Sequence, residues 1–207
     1  MIVTEGYPFV IVSAIVAIIA SLFLGGWGGL AFLLPAYSAW FFRNPHRVVP
    51  AGDHRVVAPA DGRIIQIAEV QETRYLNRSM LKVSIFMSPL DVHVNRNPVS
   101  GEVRGVFYNK GRFFGAFREK ASLDNEQNAV LLGLASGEEV LVVQIAGFLA
   151  RRIVCYLKKG ERVVRGERYG LIRFGSRLDL YLPTRTEISV KVGERARGGE
   201  TILGELR

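Results

Sequence analysis

The chain has 207 residues, long enough to bury a core and short enough for one domain with an appendage. Apolar residues at 49% and charged residues at 22% exclude a disordered or collagen-like chain, and the single cysteine, Cys155, excludes a disulfide framework and any multi-cysteine zinc or iron–sulfur site. The formal net charge of +8 is unevenly placed: no charged residue falls between Glu5 and Arg43, and all 27 lysines and arginines lie beyond residue 42 with every acidic residue but Glu5.

Residues 1–42 therefore read as a hydrophobic membrane anchor and 43–207 as a basic globular domain. Spanning a bilayer takes roughly 20 mainly apolar residues. Phe9 to Leu24 supplies one near-minimal run, Gly25-Gly26-Trp27-Gly28-Gly29 interrupts it, and Leu30 to Phe42 supplies a second. The pattern predicts one or two short apolar helices around a glycine-rich break, either crossing the membrane or forming a shallow hairpin in one leaflet. A cleaved signal peptide would want a positive start and a single short apolar core, whereas this chain carries Glu5 and stays apolar through Phe42. Trp40, Phe41 and Phe42 precede Arg43, His46 and Arg47, the order of aromatic belt and cationic flank at a cytoplasmic interface. The predicted location is the cell membrane, with the globular part in the cytoplasm and its positive charge facing anionic lipid headgroups. Nucleic acid, the usual alternative partner of a basic chain, would want stacking aromatic motifs that are lacking here and leaves the anchor unexplained.

Beyond Val56 the chain reads as short strands separated by turns: Arg63 to Ala68, Leu81 to Phe86, Gly101 to Tyr108, Ala129 to Gly133, Glu139 to Ala146, Ile153 to Tyr156, Arg168 to Phe174, Leu178 to Leu182 and Glu187 to Val192. The expected fold is mainly β, a barrel or sandwich-hybrid-like domain behind the helical anchor. No GxGxxG or Walker loop is present, so a phosphate-cradling glycine loop has no support. The turn Lys158 to Glu167 is similar in style to lipoyl- or biotinyl-type hybrids, but no modifiable Met-Lys-Met or Asp-Lys-Ala tripeptide accompanies it. A non-catalytic, membrane-anchored adaptor or carrier module is one reading that these features leave open.

Three segments carry candidate chemistry. His46 and His54 sit in the membrane-proximal linker, which argues against a histidine-rich metal site, and none is expected. His93 stands in Phe86-Met87-Ser88-Pro89-Leu90-Asp91-Val92-His93-Val94-Asn95-Arg96-Asn97-Pro98, and by itself reads as a surface or turn histidine. Asp61, in Pro59-Ala60-Asp61-Gly62, reads as ordinary turn chemistry. Gly175-Ser176, the only Gly-Ser dipeptide in the chain, reads as a bend between two strands.

Taken in order, Pro59 to Gly62, Ser88 to Arg96, Ala146 to Val154 and Arg173 to Pro183 resemble the short-form phosphatidylserine decarboxylases of bacteria and archaea, over a match running from about Arg43 to Leu182. The resemblance implies a precursor that cuts itself between Gly175 and Ser176, leaving a β chain of residues 1–175 and an α chain of residues 176–207 that stay together, with higher assembly open. Ser176 would become a covalent pyruvoyl group, the cofactor, which forms a Schiff base with the amino group of a phospholipid's serine headgroup and takes up electrons as carbon dioxide departs. Glycine on the acyl side would remove a side chain that crowds the serine's attack. The resemblance places Asp61 and His93 as the assisting pair, the aspartate orienting the imidazole, with His93 also the proton donor in turnover. Longer relatives carry a His-x-x-His pattern where this chain has His93-Val94-Asn95-Arg96, so either His93 substitutes for the second histidine or Asp61 acts more directly. Arg151 and Arg152 are candidates to clamp the anionic phospholipid substrate or are two solvated arginines at a strand edge. Asn125, Glu126 and Asn128 are polar site residues or merely a loop. The diacylglycerol and archaeal ether lipids share the serine headgroup, so phosphatidylserine and archaetidylserine both remain as substrates at this point.

Overall fold

The computed structural model describes residues 1–111, 125–147, 152–173 and 175–207. Its contacts separate two units, Met1–His46 and Arg47–Arg207. In the first, a 3-10 turn at Thr4–Gly6 leads into helix α1 (Tyr7–Leu24), a 3-10 stretch at Gly25–Phe32 and helix α2 (Leu33–Phe41). Pro8 lies in the first turn of α1, where its missing N–H costs nothing. The 18 residues of α1 rise about 27 Å, close to the roughly 30 Å of a hydrocarbon core. Ser13 and Ser21 fit this apolar helix by donating to their own backbone, to Phe9 O at 2.6 Å and Ala17 O at 2.9 Å.

Ile11, Val12, Ile15, Ile18, Leu22 and Phe23 are exposed around α1 and Ala17 alone is buried, a surface that calls for apolar surroundings. Among the described residues one helix, Thr4–Leu24, is long and apolar enough to cross a membrane; α2, with 9 residues, is not. The glycine-rich break runs on as 3-10 helix to Phe32 rather than ending at Gly29, because glycines lose the most backbone freedom in a regular α-helix. Of the aromatic belt, Phe41 and Phe42 are buried and Phe42 stacks on Phe9 at 5.1 Å. Trp40 stays exposed, with the Arg43 guanidinium 3.8 Å over its ring.

The second unit is mainly β. Strands, numbered in chain order, form an antiparallel eight-stranded sheet in the order β13 (Arg195–Ala196), β2 (Gly62–Glu72), β3 (Arg78–Met87), β11 (Ser176–Leu182), β7 (Glu139–Ala146), β6 (Gln127–Gly133), β5 (Gly101–Asn109) and β9 (Arg162–Val163). Two three-stranded sheets accompany it: β4 (Val94–Arg96), β10 (Arg168–Ile172) and β8 (Ile153–Cys155) in the order β4-β10-β8, and β1 (Arg55–Val57), β14 (Ile202–Glu205) and β12 (Glu187–Ile188) in the order β1-β14-β12. The large sheet curls into a half-barrel.

Alternation along each strand fills the curl. Leu178, Leu180 and Leu182 of β11 meet Val83, Ile85 and Met87 of β3 and Val140, Val142 and Ala146 of β7, and Val56, Tyr169, Ile172 and Leu203 of the small sheets complete the core. Each of these large side chains contributes about 1.5–3 kcal/mol by leaving water. The opposite face holds a smaller cluster, Ala129, Leu141, Val143 and Ile145, against which Tyr75, Leu76 and Tyr181 pack. Strand β11 is thus covered on both faces. The strands that the residue pattern does not reveal, β1, β4, β9, β13 and β14, have two to four residues, too few for alternation to register. Strand β12 stops at Ile188 rather than Val192, and β10 stops at Ile172, with Phe174 outside the described residues.

Candidate active site

The Gly175–Ser176 bond lies where the chain leaves the small sheet at β10 and enters the large one at β11. Ser176 is not in a bend: it is the first residue of β11, paired with Met87 of β3 and Ala146 of β7 and wholly buried. Its hydroxyl donates to the Met87 sulfur at 3.9 Å, a weak acceptor. Gly175 makes the turn between the sheets with φ +63°, and a Cβ built on it would meet no described heavy atom within 4 Å. Backbone conformation is therefore a reason for glycine here in its own right, since the left-handed region disfavours a residue with a Cβ.

His93 reaches this junction from the loop before β4. Strand β4 pairs with β10, Val94 opposite Leu171, and Ile172 N–H donates to His93 O, so pairing in the small sheet brings the histidine beside the chain that ends in Ser176. The ring is 2% exposed. Its Nδ1 lies 3.0 Å from Asp91 O, and Gly175 N–H donates to Nε2 at 3.3 Å. Both bonds form together in the neutral tautomer with hydrogen on Nδ1, which leaves the Nε2 lone pair directed at the Gly175–Ser176 junction. The loop is set by Asp91, whose Oδ2 accepts from Ser88 N and Ser88 Oγ at 2.8 and 2.7 Å.

Asp61 has other partners. Its carboxylate accepts from Arg47 Nη2 and from Gly198 N, each at 2.7 Å, and no hydrogen bond joins it to His93 among the described residues. The oxygen 3.0 Å from the imidazole Nδ1 is the Asp91 carbonyl. Burial raises the Asp61 carboxyl above its ordinary range, against the Gly198 hydrogen bond and the Arg47 charge, which pull it down. The turn is still tied to the histidine's strand, since Arg96 N–H donates to Pro59 O. Gly62 follows because a Cβ there would lie 2.2 Å from Phe86 O of the neighbouring strand.

The family model for phosphatidylserine decarboxylase matches residues 34–204. The chain belongs to the phosphatidylserine decarboxylase family. Among curated relatives, a phosphatidylserine decarboxylase proenzyme of Geobacter sulfurreducens is 47% identical, covering 99% of this chain and 96% of the relative. The proenzyme of that name in Syntrophotalea carbinolica is 49% identical over 98% and 95% of the two chains, and that of Geotalea uraniireducens 47% over 99% and 96%. An enzyme of this kind is what the chain encodes.

For a phosphatidylserine decarboxylase, the polar groups around Ser176 matter as much as the junction. Asn125 Nδ2 donates to Ala146 O, the residue paired with Ser176, at 2.7 Å. Asn128 Nδ2 donates to Gln144 Oε1 at 3.0 Å, Gln144 Nε2 to Asn95 Oδ1 at 2.8 Å, and Asn95 Nδ2 to the Met87 sulfur at 3.7 Å. This buried relay fixes each amide's orientation and ends with a strong donor on the same thioether that holds Ser176 Oγ. Gln144 and Asn95 were not singled out in the sequence, although Asn-x-x-Asn at 125–128 and the polar Gln144 within the apolar run of β7 are its trace. Arg152 is exposed and its carbonyl accepts from Arg173 N; Arg151 lies outside the described residues. Cys155 is half-buried and burial pushes its thiol pKa up, away from a nucleophile's needs. No group of three metal-ligating side chains occurs among the described residues.

Proposed function

We propose that this chain is a precursor that cuts itself at Gly175–Ser176 and that the Ser176-derived pyruvoyl enzyme converts phosphatidylserine to phosphatidylethanolamine and carbon dioxide. The observation that carries the reading is the Gly175 N–H donated to His93 Nε2, which puts an unprotonated imidazole nitrogen beside a strand-initial serine and a glycine in the left-handed region. The Ser176 hydroxyl turns from the Met87 sulfur, attacks the Gly175 carbonyl carbon and gives its proton to Nε2. The carbon–nitrogen bond then breaks, the nitrogen takes that proton, and residues 175 and 176 are joined by an ester. Loss of the Cα proton expels the Gly175 carboxylate by β-elimination and leaves dehydroalanine. Water then replaces its nitrogen, releasing ammonia.

His93 acts as the base because its Nδ1–H is anchored on Asp91 O, which stabilises the imidazolium as it forms. Asp61 is a positioning residue, holding the 59–62 turn to Arg47 and Gly198. The site fits the group it would make: its atoms come from Ser176, which is wholly buried with its hydroxyl on the Met87 thioether, the same sulfur that accepts from the Asn95 amide. The pyruvoyl carbonyl supplies an electron sink for the pair left as carbon dioxide departs from the serine headgroup. His93 then delivers a proton to the headgroup's α-carbon.

After cleavage β11 keeps its pairing with β3 and β7, so chains 1–175 and 176–207 remain one folded unit. Helix α1 would hold the enzyme in the membrane where its substrate lies, with the basic domain on the cytoplasmic side. Intact-mass measurement of the purified protein tests the reading. Two chains breaking at 175/176, with the smaller blocked by a ketone and gaining the substrate's amine under borohydride, are expected. A single uncut chain from folded, membrane-bound material would overturn it.

A further inference from the structure

The face of the eight-stranded sheet turned away from Ser176 encloses a cavity of about 250 Å³. Alternation on β11 sends Ser176 and Leu178 inward and Arg177, Asp179 and Tyr181 to this other face. The acceptors there are already taken. Both Glu72 oxygens receive backbone N–H groups, from Arg74, Tyr75 and Leu76. Asp179 Oδ1 receives Arg177 Nε at 2.6 Å, and Oδ2 receives Arg177 Nη2 at 3.2 Å and Lys82 Nζ at 3.1 Å. Gln66 Oε1 accepts from Arg177 Nη2 and Ser84 Oγ.

The donors are in surplus. The Arg177 side chain is 2% exposed, yet its Nη1 has no hydrogen-bond partner among the described residues. The Lys82 side chain is 10% exposed and its ammonium, 5.5 Å from the Tyr181 ring, has one oxygen partner among the described residues. Among the described residues the Arg74 guanidinium donates only through Nη1, to Gln127, and sits 5.9 Å from the Tyr75 ring, and the Tyr181 hydroxyl, which lines the same space, finds no acceptor. Burial, then the charges of Asp179 and Glu72, holds the proton on that hydroxyl. Among the described lining residues three cations face two carboxylates, so these side chains leave an unbalanced positive charge in a partly apolar setting.

We infer that this cavity is a binding site for a phosphate group, separate from the decarboxylation site and on the opposite face of its sheet. Arg177, Lys82 and Arg74 line the cavity from β11, β3 and the loop after β2, and a tetrahedral oxyanion has an oxygen to offer each. The group is either free phosphate or the phosphodiester of an anionic lipid headgroup. The inference does not depend on self-cleavage, since none of these side chains takes part in it.

Calorimetric titration of the full-length protein in detergent, at ionic strength matched with chloride, tests it with two probes. Inorganic phosphate and glycerophosphoglycerol, a headgroup without the substrate's amine, are added separately. Saturable binding of phosphate alone assigns free phosphate; saturable binding of glycerophosphoglycerol assigns the lipid headgroup. In either case Arg177→Lys, which keeps the charge on Asp179 but loses Nη1, is expected to weaken binding about tenfold or more. Lys82→Gln, which keeps a hydrogen bond to Asp179, carries the same expectation should the arginine variant fail to fold, and His93→Ala is expected to leave affinity unchanged. No saturable heat from either probe, or unchanged affinity in folded Arg177→Lys and Lys82→Gln, overturns the inference.

Discussion

Replacing Gly175 with alanine isolates what the scissile junction asks of its glycine. The φ of +63° lies in the left-handed region, and the new methyl would meet no described atom within 4 Å. The cost is then the intrinsic penalty of a left-handed L-residue alone, about 1–2 kcal/mol, with no steric addition. For a domain of this size that corresponds to a fall in Tm of roughly 2–8 °C. Asparagine, which tolerates this conformation better, should lose less than alanine. The comparison is made by thermal melts in detergent in a Ser176→Ala background, so that every protein is the uncut precursor. An alanine variant as stable as its parent would refute the left-handed assignment. A loss beyond about 4 kcal/mol would refute the open space, since only overpacking or a shifted strand reaches that size.

His93→Ala removes the proton acceptor at the junction and is expected to slow self-cleavage by about 10²–10⁴, read by mass spectrometry against time; cleavage at the parental rate would remove His93 from the mechanism. Asp179→Asn leaves Arg177 and Lys82 buried around a neutral amide and should cost about 3–5 kcal/mol, whereas Arg195→Ala, breaking an exposed pair to Asp91, should stay within about 1 kcal/mol. Asp61 gives a pH signature. Because burial raises its folded pKa above the ordinary 3.8, its contribution is complete below that value and is lost as pH rises through the raised one. Asp61→Asn removes that loss, so the variant's Tm should gain on the parent's as pH rises from the ordinary carboxylate range through the raised value; a gap moving the other way would show that the Arg47 pair dominates.

The apolar N-terminal helix was legible because an uncharged stretch ending at Arg43 needs no tertiary information: a long apolar run shows in the residues themselves. The long strands were legible for a similar reason, since β3, β5, β6 and β7 have enough residues for alternation to show. Strand β4 was not, with three residues, and it is the strand that brings His93 to Gly175. The aspartate shows the limit most clearly. Asp61 and Asp91 both lie near the histidine in the chain's logic, and nothing in the residue pattern tells that a backbone carbonyl, Asp91 O, meets the ring Nδ1 while the Asp61 carboxylate pairs with Arg47 and Gly198.

What the sequence alone determined was local or additive: an apolar N-terminal helix, a β-rich basic unit, and the ordered motifs that contain Asp61, His93, Gly175 and Ser176. What only the tertiary structure decided was which of these meet. The left-handed turn at Gly175, the placing of His93 Nε2 against Gly175 N–H, the amide relay ending at Met87 and the buried Arg177–Asp179–Lys82 cluster all depend on pairings between strands far apart in the chain. Such contacts are set by register and by which face of β11 each residue takes, and a one-residue slip would exchange Ser176 for Arg177 on the inner face.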